Sequence, residues 1–392
     1  MNRPGGFLGS PELRVKNMVR QRGCGQRLRW QGLLLGLLLV TGCGQSAINN
    51  PIGSPVGDAG SSNQQKAKKT VRVQLAFLFQ SVDAPLILAI NKGYFAAEGL
   101  EIAYERGFGN VDAISKLGTG NFDLSFSDMY NALDFNDKNP QNKIKAVAVP
   151  FNQAAFAVVT LKERGINGPK DLVGKNLGAP AGDGPRKLFP LFAQQAGIDS
   201  NSITWTSIEP KLRETFLLQG KVDAITGFTT STLPNLLKAG KKQEEIKVFY
   251  YKDYGLDFYG NGILAQTRFI EQNPQVIQGF VRAYLRGLQD LLKDPMAALD
   301  AVIAADQSKL LNRETEKVRL QVAIDHLILS PEVEKLGLGA VDPDRLSRSI
   351  QLTARGFRLR SNPSVADIYT DRFLPPLAER GLPSPAERRP LR

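Results

Sequence analysis

The chain has 392 residues, 22% of them charged, and a formal net charge of +12. The charge does not indicate a nucleic-acid partner, because residues 1–42 contain seven Lys and Arg residues and only one acidic residue. Both cysteines, Cys24 and Cys43, lie near the start of the chain, which excludes disulfides and thiolate metal ligands from the part after Cys43. That part is long enough for two lobes with an ordinary hydrophobic core.

The first predicted element is a short apolar segment, residues 33–40, which follows several arginines and leads to Val-Thr-Gly-Cys at Cys43. It is too short to span a membrane. A basic segment, a short apolar run and a small-residue cleavage site predict a secretory signal peptide over residues 1–42. The four residues resemble a bacterial lipobox, so we expect Cys43 to be lipidated. A plain signal peptide and an internal helix with an incidental cysteine are the alternatives, and a start at Met18 would give a leader of ordinary length.

Residues 43–70 contain the Gly-, Ser-, Asn- and Pro-rich sequence GQSAINNPIGSPVGDAGSSNQQKAKK. Such a composition cannot bury a core, and it predicts a flexible tether. A tether after a lipidated cysteine would hold the folded part off a membrane surface.

From residue 71 onward, predicted strands alternate with predicted helices. The strands TVRVQLAFLF, EIAYERG, FDLSFSD and IKAVAVPF are separated by helical patterns such as SVDAPLILAINKGYFAAEGL and NVDAISKLGTG. A second series of similar size begins near GINGPKDLVGKNLGAP, and the strand FYGNGILAQ follows it. This alternation predicts α/β layers built on mostly parallel sheets.

We therefore predict a first lobe of residues 71–160 and 257–375, a second lobe of residues 161–256, and a polar tail of residues 376–392. Two α/β lobes joined by crossing strands enclose a cleft, in which strand ends and helix N-termini of both lobes face each other. Hinge closure over a ligand is a motion of such two-lobe proteins.

Six segments resemble, in order and spacing, the solute-binding proteins of ABC importers: KGYFAAEGLEI, GNFDLSFSD, INGPKDLVGKNLGAP, LLQGKVDAITGF, DYGLDFYGNGILA and NPQVIQGFVRAYLRGL. The subfamily includes nitrate-, sulfonate- and taurine-binding proteins and binders of thiamine pyrimidine precursors. The resemblance covers residues 71–362. It implies an α/β, two-lobe periplasmic-binding-protein-like fold of type II, with the ligand cleft between the lobes and a hinge of crossing strands.

The resemblance also implies a function. We expect a monomeric lipoprotein, exported and anchored to the cell membrane, that binds a small polar organic nutrient such as a thiamine pyrimidine precursor. It would deliver this ligand to the transmembrane subunits of an ABC permease and their ATPase, with no cofactor and no nucleic acid. Binding of a sulfonate, taurine or nitrate is the alternative.

A pyrimidine-synthase-like enzyme is the third hypothesis. That class depends on a cysteine-rich iron-binding motif and an active-site histidine. The single histidine, His326, lies in an amphipathic helical pattern and is expected to be structural. The sequence also lacks a nucleophile elbow, a phosphate-binding Walker loop and a set of metal ligands at suitable spacing. We therefore predict no catalytic and no metal site.

Candidate ligand-binding residues lie where a predicted strand ends and a helix begins. They are Phe79, Gln80, Ser81, Asn110, Ser127, Asp128, Tyr130 and Asn152 in the first half of the chain, Asp183, Arg186 and Phe228 in the second lobe, and Asp253, Tyr254 and Asn261 near the return crossing. Aromatic side chains can stack on a planar ligand, while Asp and Asn can hydrogen-bond its ring nitrogens and amines.

The charged candidates separate the two ligand classes. If Asp128 and Asp253 both line the cleft, they favour an amine-bearing ligand over an oxyanion. Arg186 and Arg213 are the cations placed to pair with a sulfonate or nitrate. Arg213, in the sequence KLRETFLL, is expected to be a solvated helix residue.

Overall fold

A computed structural model describes residues 68–391. The leader, Cys43 and nearly all of the predicted tether lie outside the described residues. The strands within them are β1 (Lys69–Leu75), β2 (Leu100–Glu105), β3 (Leu124–Asp128), β4 (Ile144–Ala148), β5 (Phe156–Leu161), β6 (Asn176–Ala179), β7 (Thr204–Ser207), β8 (Ala224–Phe228), β9 (Ile246–Tyr250) and β10 (Asn261–Gln266).

The α-helices of the described part range from 4 to 20 residues in length. They are α1 (Ala84–Asn91), α2 (Tyr94–Ala97), α3 (Asn110–Gly118), α4 (Met129–Lys138), α5 (Gly184–Gln195), α6 (Arg213–Leu218), α7 (Thr229–Lys238), α8 (Thr267–Gln272), α9 (Pro274–Lys293), α10 (Pro295–Ala305), α11 (Arg313–Ala323), α12 (Pro331–Leu336), α13 (Pro343–Phe357), α14 (Val365–Ile368) and α15 (Leu377–Arg380). Among residues 68–391, none of these helices has the length and apolarity needed to cross a bilayer.

The strands form two mixed five-stranded sheets, ordered β2-β1-β3-β10-β4 and β7-β6-β8-β5-β9. In the first sheet β1 pairs in parallel with β2 and β3, whereas β10 is antiparallel to β3 and β4. In the second sheet β6 is parallel to β7 and β8, whereas β5 is antiparallel to β8 and β9. The sheets are thus less parallel than the strand–helix alternation predicted.

The two antiparallel strands, β5 and β10, are the ones that the chain enters from the other lobe. Asn261 at the start of β10 pairs with Asp128 at the end of β3, and Phe156 at the start of β5 pairs with Phe228 at the end of β8. A strand that starts where its neighbours end must run against them. Because β5 belongs to the second sheet, the crossing comes before this strand, ahead of the predicted lobe limit at residue 160. The other predicted lobe limits stay predictions.

One arginine of α13 ties the two crossing segments together. The Arg345 guanidinium donates to the Asn152 carbonyl oxygen at 2.9 Å and to both carboxylate oxygens of Asp257 at 2.8 and 2.6 Å. It also donates to Glu332 at 3.1 Å, and its side chain is only 8% exposed. The outgoing segment around Asn152 and the returning segment around Asp257 are therefore held by one buried cation.

Buried side chains fill both lobes and the region between them. One cluster packs β1 and β3 against α1 and α9, and another packs β5 and β8 in the second lobe. A third joins the lobes through aromatic rings, in which Tyr130 and Phe258 lie 5.1 Å apart and Phe192 stacks on Tyr251 at 4.8 Å. The predicted polar tail packs on this body, since the Leu338 amide donates to the Arg380 carbonyl oxygen at 2.8 Å.

Candidate ligand-binding site

A cavity of about 70 Å³ lies between the two sheets, at the edge where β1, β3, β6 and β8 end. Its lining residues come from both lobes: Ala76, Phe77, Gln80, Val82, Gly109, Asn110, Phe151 and Asn261 from the first, and Asp183, Pro210, Arg213, Phe228, Thr230 and Ser231 from the second. The carboxyl ends of strands are where ligands bind in α/β sheets.

The polar end of the cavity is built around Arg213, the first residue of α6. Its side chain is 5% exposed, and its Nε and Nη2 both donate to Glu214 Oε1 at 3.2 Å. Its Nη1 lies 3.7 Å from Asp183 Oδ2, beyond hydrogen-bonding distance. Gly227 leaves room for the guanidinium, because a Cβ there would lie 2.5 Å from Arg213 Cζ. The prediction that Arg213 is a solvated helix residue is therefore wrong.

Asp183 carries the unpaired acceptor of the cavity. It is 8% exposed, and its Oδ2 accepts no hydrogen bond from another described residue. Burial raises the pKa of this carboxyl to about 6, although the nearby Arg213 charge lowers it. A buried polar atom without a partner is costly, so a bound group that donates to Asp183 would restore a lost hydrogen bond.

A second buried carboxyl, Asp128, lies where the lobes touch. Its Oδ1 accepts from the Tyr130 amide at 2.9 Å and caps α4, whereas its Oδ2 has no partner among the described residues. Gly184 of the other lobe packs against it, since a Cβ there would lie 2.6 Å from Asp128 Oδ2. Burial, together with the nearby charge of Asp183, raises the pKa of Asp128 to about 7.

The first turn of α7 forms another side of the cavity and is tied to α11. The Thr230 carbonyl oxygen accepts from Arg319 Nη1, and Arg319 Nε donates to Glu316 Oε2 at 3.0 Å. Glu316 in turn accepts from the Ser81 amide at 2.7 Å. Ser81 follows β1, so this buried chain of bonds connects the loop after β1 with the α7 turn of the second lobe.

Aromatic side chains form flat walls. Phe77, Phe151 and Phe228 line the cavity. Phe151 is held edge-on against Phe126 at 5.0 Å, and Phe228 edge-on against Phe156 at 5.4 Å. Aromatic side chains can stack on a planar ring, so this lining suits a flat ligand.

The structure brings together five of the predicted site residues in this cavity: Gln80, Asn110, Asp183, Phe228 and Asn261. Each lies at or a few residues after a strand end, at a strand start, or at the start of a helix, as the strand-end argument predicted. The Asn110 side chain is also anchored, because its Oδ1 accepts from the Asp128 amide at 3.0 Å.

Five other predicted residues lie close to the cavity but use their polar groups internally. Asp128 caps α4, and Ser81 donates its hydroxyl to the Glu316 carbonyl oxygen at 2.8 Å. Ser127 shares a 2.7 Å hydrogen bond with Ser125, and Tyr130 donates to Ser349 at 3.0 Å. Asn152 belongs to the network of the crossing segments, where its side chain donates to Glu332 at 2.9 Å. None of these five residues lines the cavity.

The remaining four predicted residues do not line the cavity. Phe79 stacks on Tyr104 and lines a neighbouring groove that shares Gln80 with the cavity. Arg186 donates to Ala179 and Ser207 and lies over the Trp205 ring, so its guanidinium is held at the β6–β7 edge.

Asp253 is exposed and Tyr254 packs edge-on against Phe192 in the second lobe. The condition that Asp128 and Asp253 both line the cleft is thus not met. Sequence reasoning missed Thr230, Ser231, Phe77 and Phe151, and it considered Arg213 as a cation for an anionic ligand but expected it to be solvated. For Thr230 and Ser231 the strand-end rule itself was a usable signal, since they lie in the first turn of α7, which follows β8.

Solved structures share this architecture. The alkanesulfonate-binding protein SsuA from Xanthomonas axonopodis pv. citri, bound to MOPS, has a TM-score of 0.59 at 16% identity, covering 77% of this chain and 98% of that chain. The nitrate-binding protein NrtA from Synechocystis PCC 6803 has a TM-score of 0.59 at 10% identity, covering 78% and 87%. The fold is the two-lobe fold of periplasmic binding proteins, which confirms the predicted α/β class.

Comparison by sequence identifies relatives and a family. The riboflavin-binding protein RibY of Chloroflexus aurantiacus is 24% identical over 88% of this chain and 96% of its own length. The formylaminopyrimidine-binding protein of Halalkalibacterium halodurans is 25% identical over 75% and 84%. A 4-amino-5-hydroxymethyl-2-methylpyrimidine phosphate synthase of Aspergillus parasiticus is 24% identical over 56% and 66%. The NMT1/THI5 like family model matches residues 80–298, and the chain belongs to this family.

Proposed function

We propose that this chain is the solute-binding lipoprotein of an ABC importer, and that it captures a small nitrogen-bearing organic nutrient related to thiamine pyrimidine precursors. The cavity between the lobes carries this proposal, because residues of both lobes line it and a bound solute would contact both. Relatives named for formylaminopyrimidine and riboflavin support the ligand class.

Binding would act through the hinge. A ligand that touches Asn110 and Gln80 in one lobe and Thr230 and Arg213 in the other favours the closed arrangement over the open one. The closed protein would then present both lobes to the permease, which releases the solute by separating them. The two crossing segments held by Arg345 are the hinge in this proposal.

We propose binding rather than catalysis. The full sequence has no cysteine after Cys43, so an iron site of several cysteines cannot be built from this chain. His326 is exposed and lies beside Tyr250, and it does not line the cavity. Within the described residues, no group of His, Cys, Asp and Glu is arranged to hold a metal ion.

We further propose export and lipid anchoring at Cys43, supported by the lipobox-like sequence and by the Gly- and Ser-rich segment that follows it. Labelling cells with a radioactive fatty acid tests this. The wild-type chain should take up the label and sediment with membranes, whereas Cys43→Ser should do neither. Unlabelled wild-type protein would contradict the proposal.

A thermal-shift screen tests the binding function. The probes are aminopyrimidines, riboflavin, taurine, ethanesulfonate and nitrate, added to the chain from residue 43 onward with Cys43→Ser. A ligand present at 1,000 times its Kd adds about 4 kcal/mol of stability. For a folded part of this size that is a rise of about 6 °C in Tm. The proposal fails if no probe raises Tm, or if a stabilising compound is turned over.

Sulfonate or nitrate binding is the second candidate, favoured by the fold neighbours named for these anions and by the buried Arg213 at the cavity. The two candidates differ in the charge that the cavity must accept. The same screen separates them.

A further inference from the structure

The charge balance around Arg213 decides what kind of group the cavity can accept. Two carboxylates, Glu214 and Asp183, lie within 3.2 and 3.7 Å of the guanidinium. All three side chains are no more than 10% exposed. An oxyanion that paired with Arg213 would therefore enter a site in which the cation is already compensated, and would meet the Asp183 carboxylate as well.

Arg213 and Asp183 each keep one hydrogen-bonding group that is not paired within the described part of the protein, a donor on Arg213 and an acceptor on Asp183. Glu214 takes the Nε and one Nη2 hydrogen of Arg213, and Nη1 makes no hydrogen bond to another described residue. Asp183 Oδ2 is an acceptor without a donor. The cavity thus offers N–H donors and a carboxylate acceptor, 3.7 Å apart.

A gap of 3.7 Å is too wide for a direct hydrogen bond, but a ligand edge with an acceptor atom beside an N–H can join both partners. The acceptor would receive from Arg213 and the N–H would donate to Asp183. Phe77, Phe151 and Phe228 line the same cavity, and aromatic side chains favour a flat ring as the carrier of this edge.

We propose that Asp183 and Arg213 together select an uncharged planar heterocycle that carries a hydrogen-bond acceptor next to an N–H group, and that they reject sulfonates and nitrate. This inference rests on the proposed binding function and specifies its ligand. An aminopyrimidine has such an edge in its ring nitrogen and exocyclic amine. The pyrimidinedione ring of riboflavin has one in its carbonyl oxygen and ring N–H.

Titration calorimetry with matched probes tests the pair in the mature chain carrying Cys43→Ser. The probes are 4-amino-5-hydroxymethyl-2-methylpyrimidine, the same pyrimidine without its amino group, riboflavin and ethanesulfonate. We expect the wild-type chain to bind one or both of the ring compounds that carry the edge. Loss of the amino group should weaken aminopyrimidine binding by about 10- to 100-fold, because Asp183 would again lack a donor.

Asp183→Asn is the matched variant. It keeps the shape but removes the carboxylate charge beside Arg213 while Glu214 remains, so we expect about 10- to 100-fold weaker binding of the preferred ring compound and measurable binding of ethanesulfonate. Arg186→Gln is the control, because that guanidinium lies at the β6–β7 edge and should leave both affinities unchanged. The probe lacking the amino group tests the pair in the wild-type chain even if Asp183→Asn fails to fold.

The outcomes separate the inference from the function. Wild-type binding of ethanesulfonate without the ring compounds overturns the inference and leaves a binding protein. Equal affinity of wild type and Asp183→Asn for the ring compound also overturns the inference alone. Absence of binding to every probe contradicts both the inference and the proposed ligand class.

Discussion

The buried carboxyl of Asp128 predicts that the protein loses stability as the pH rises. Its pKa is about 7 in the folded chain, against about 3.9 for an unperturbed Asp. Between these values the folded state binds more protons than the unfolded state, so the free energy of unfolding falls with rising pH. The contribution is complete below pH 4 and is lost as the pH passes through 7.

The size of this stability loss follows from the difference between the folded and the unperturbed pKa of Asp128. About 3 pH units at 1.36 kcal/mol each correspond to about 4 kcal/mol lost from the free energy of unfolding on full ionisation. The variant Asp128→Asn removes the titration and keeps an N-cap of similar quality for α4. About 2 of these pH units lie above pH 5, so relative to wild type it should gain about 3 kcal/mol between pH 5 and pH 8.

Urea unfolding of both proteins at pH 5, 6, 7 and 8 measures this difference. The wild-type curve should fall more steeply than that of the variant, which retains the slopes due to Asp83 and Asp183 with their raised pKa values of about 7 and 6. Asp137→Asn is a control of opposite sign. Hydrogen bonds from Ser361 and Arg360 lower the pKa of Asp137, so its removal should cost more at pH 7 than in acid. Identical pH profiles for wild type and Asp128→Asn would refute the reasoning.

Three further substitutions test the buried contacts around the cavity and the crossing segments. Arg319→Met should lower the free energy of unfolding by about 3 kcal/mol in urea titrations, because it leaves a buried glutamate and the Thr230 carbonyl without their cation. Gly227→Ala should weaken ligand binding at least tenfold, about 1.4 kcal/mol by calorimetry, because its Cβ displaces the Arg213 guanidinium. Arg345→Lys should cost about 2 kcal/mol in the same urea titrations, because lysine cannot bond both crossing segments at once.

Each substitution has a control elsewhere on the chain. Arg313→Met removes an exposed ion pair and should cost under about 1 kcal/mol. A Cβ at Gly168 would meet no atom within 4 Å, so Gly168→Ala should leave ligand affinity intact. Arg348→Lys changes an exposed residue of α13 and should leave stability unchanged. Equal losses in any test–control pair would show that the assigned contact is not the cause.

Much of the fold could be predicted from local patterns, since a strand or a helix reveals itself by the spacing of its apolar residues. The alternation predicted two α/β lobes and placed the cleft at the strand ends. It did not predict the antiparallel direction of β5 and β10. That direction depends on where the chain crosses between lobes, which is a property of the whole path and not of the ten residues in the strand.

The site was predictable only in part, for a related reason. Residues such as Gln80 and Asp183 could be found because position after a strand is visible in the sequence. Whether a polar side chain faces the cavity or bonds internally is not visible there. Tyr130 and Asn152 follow strands as well, but their partners come from helices near the end of the chain.

The sequence by itself determined the two-lobe α/β plan, the family and the lipobox-like segment, because all three depend on order and local spacing. Only the tertiary structure decided the chemistry of the cavity. Arg213 looks like a solvated helix residue in its own segment, and it becomes a buried donor because Gly227 of β8 leaves space for it. The loop before α5 adds Asp183 beside it. Burial and charge balance arise from segments distant in sequence, so no single stretch of the chain contains them.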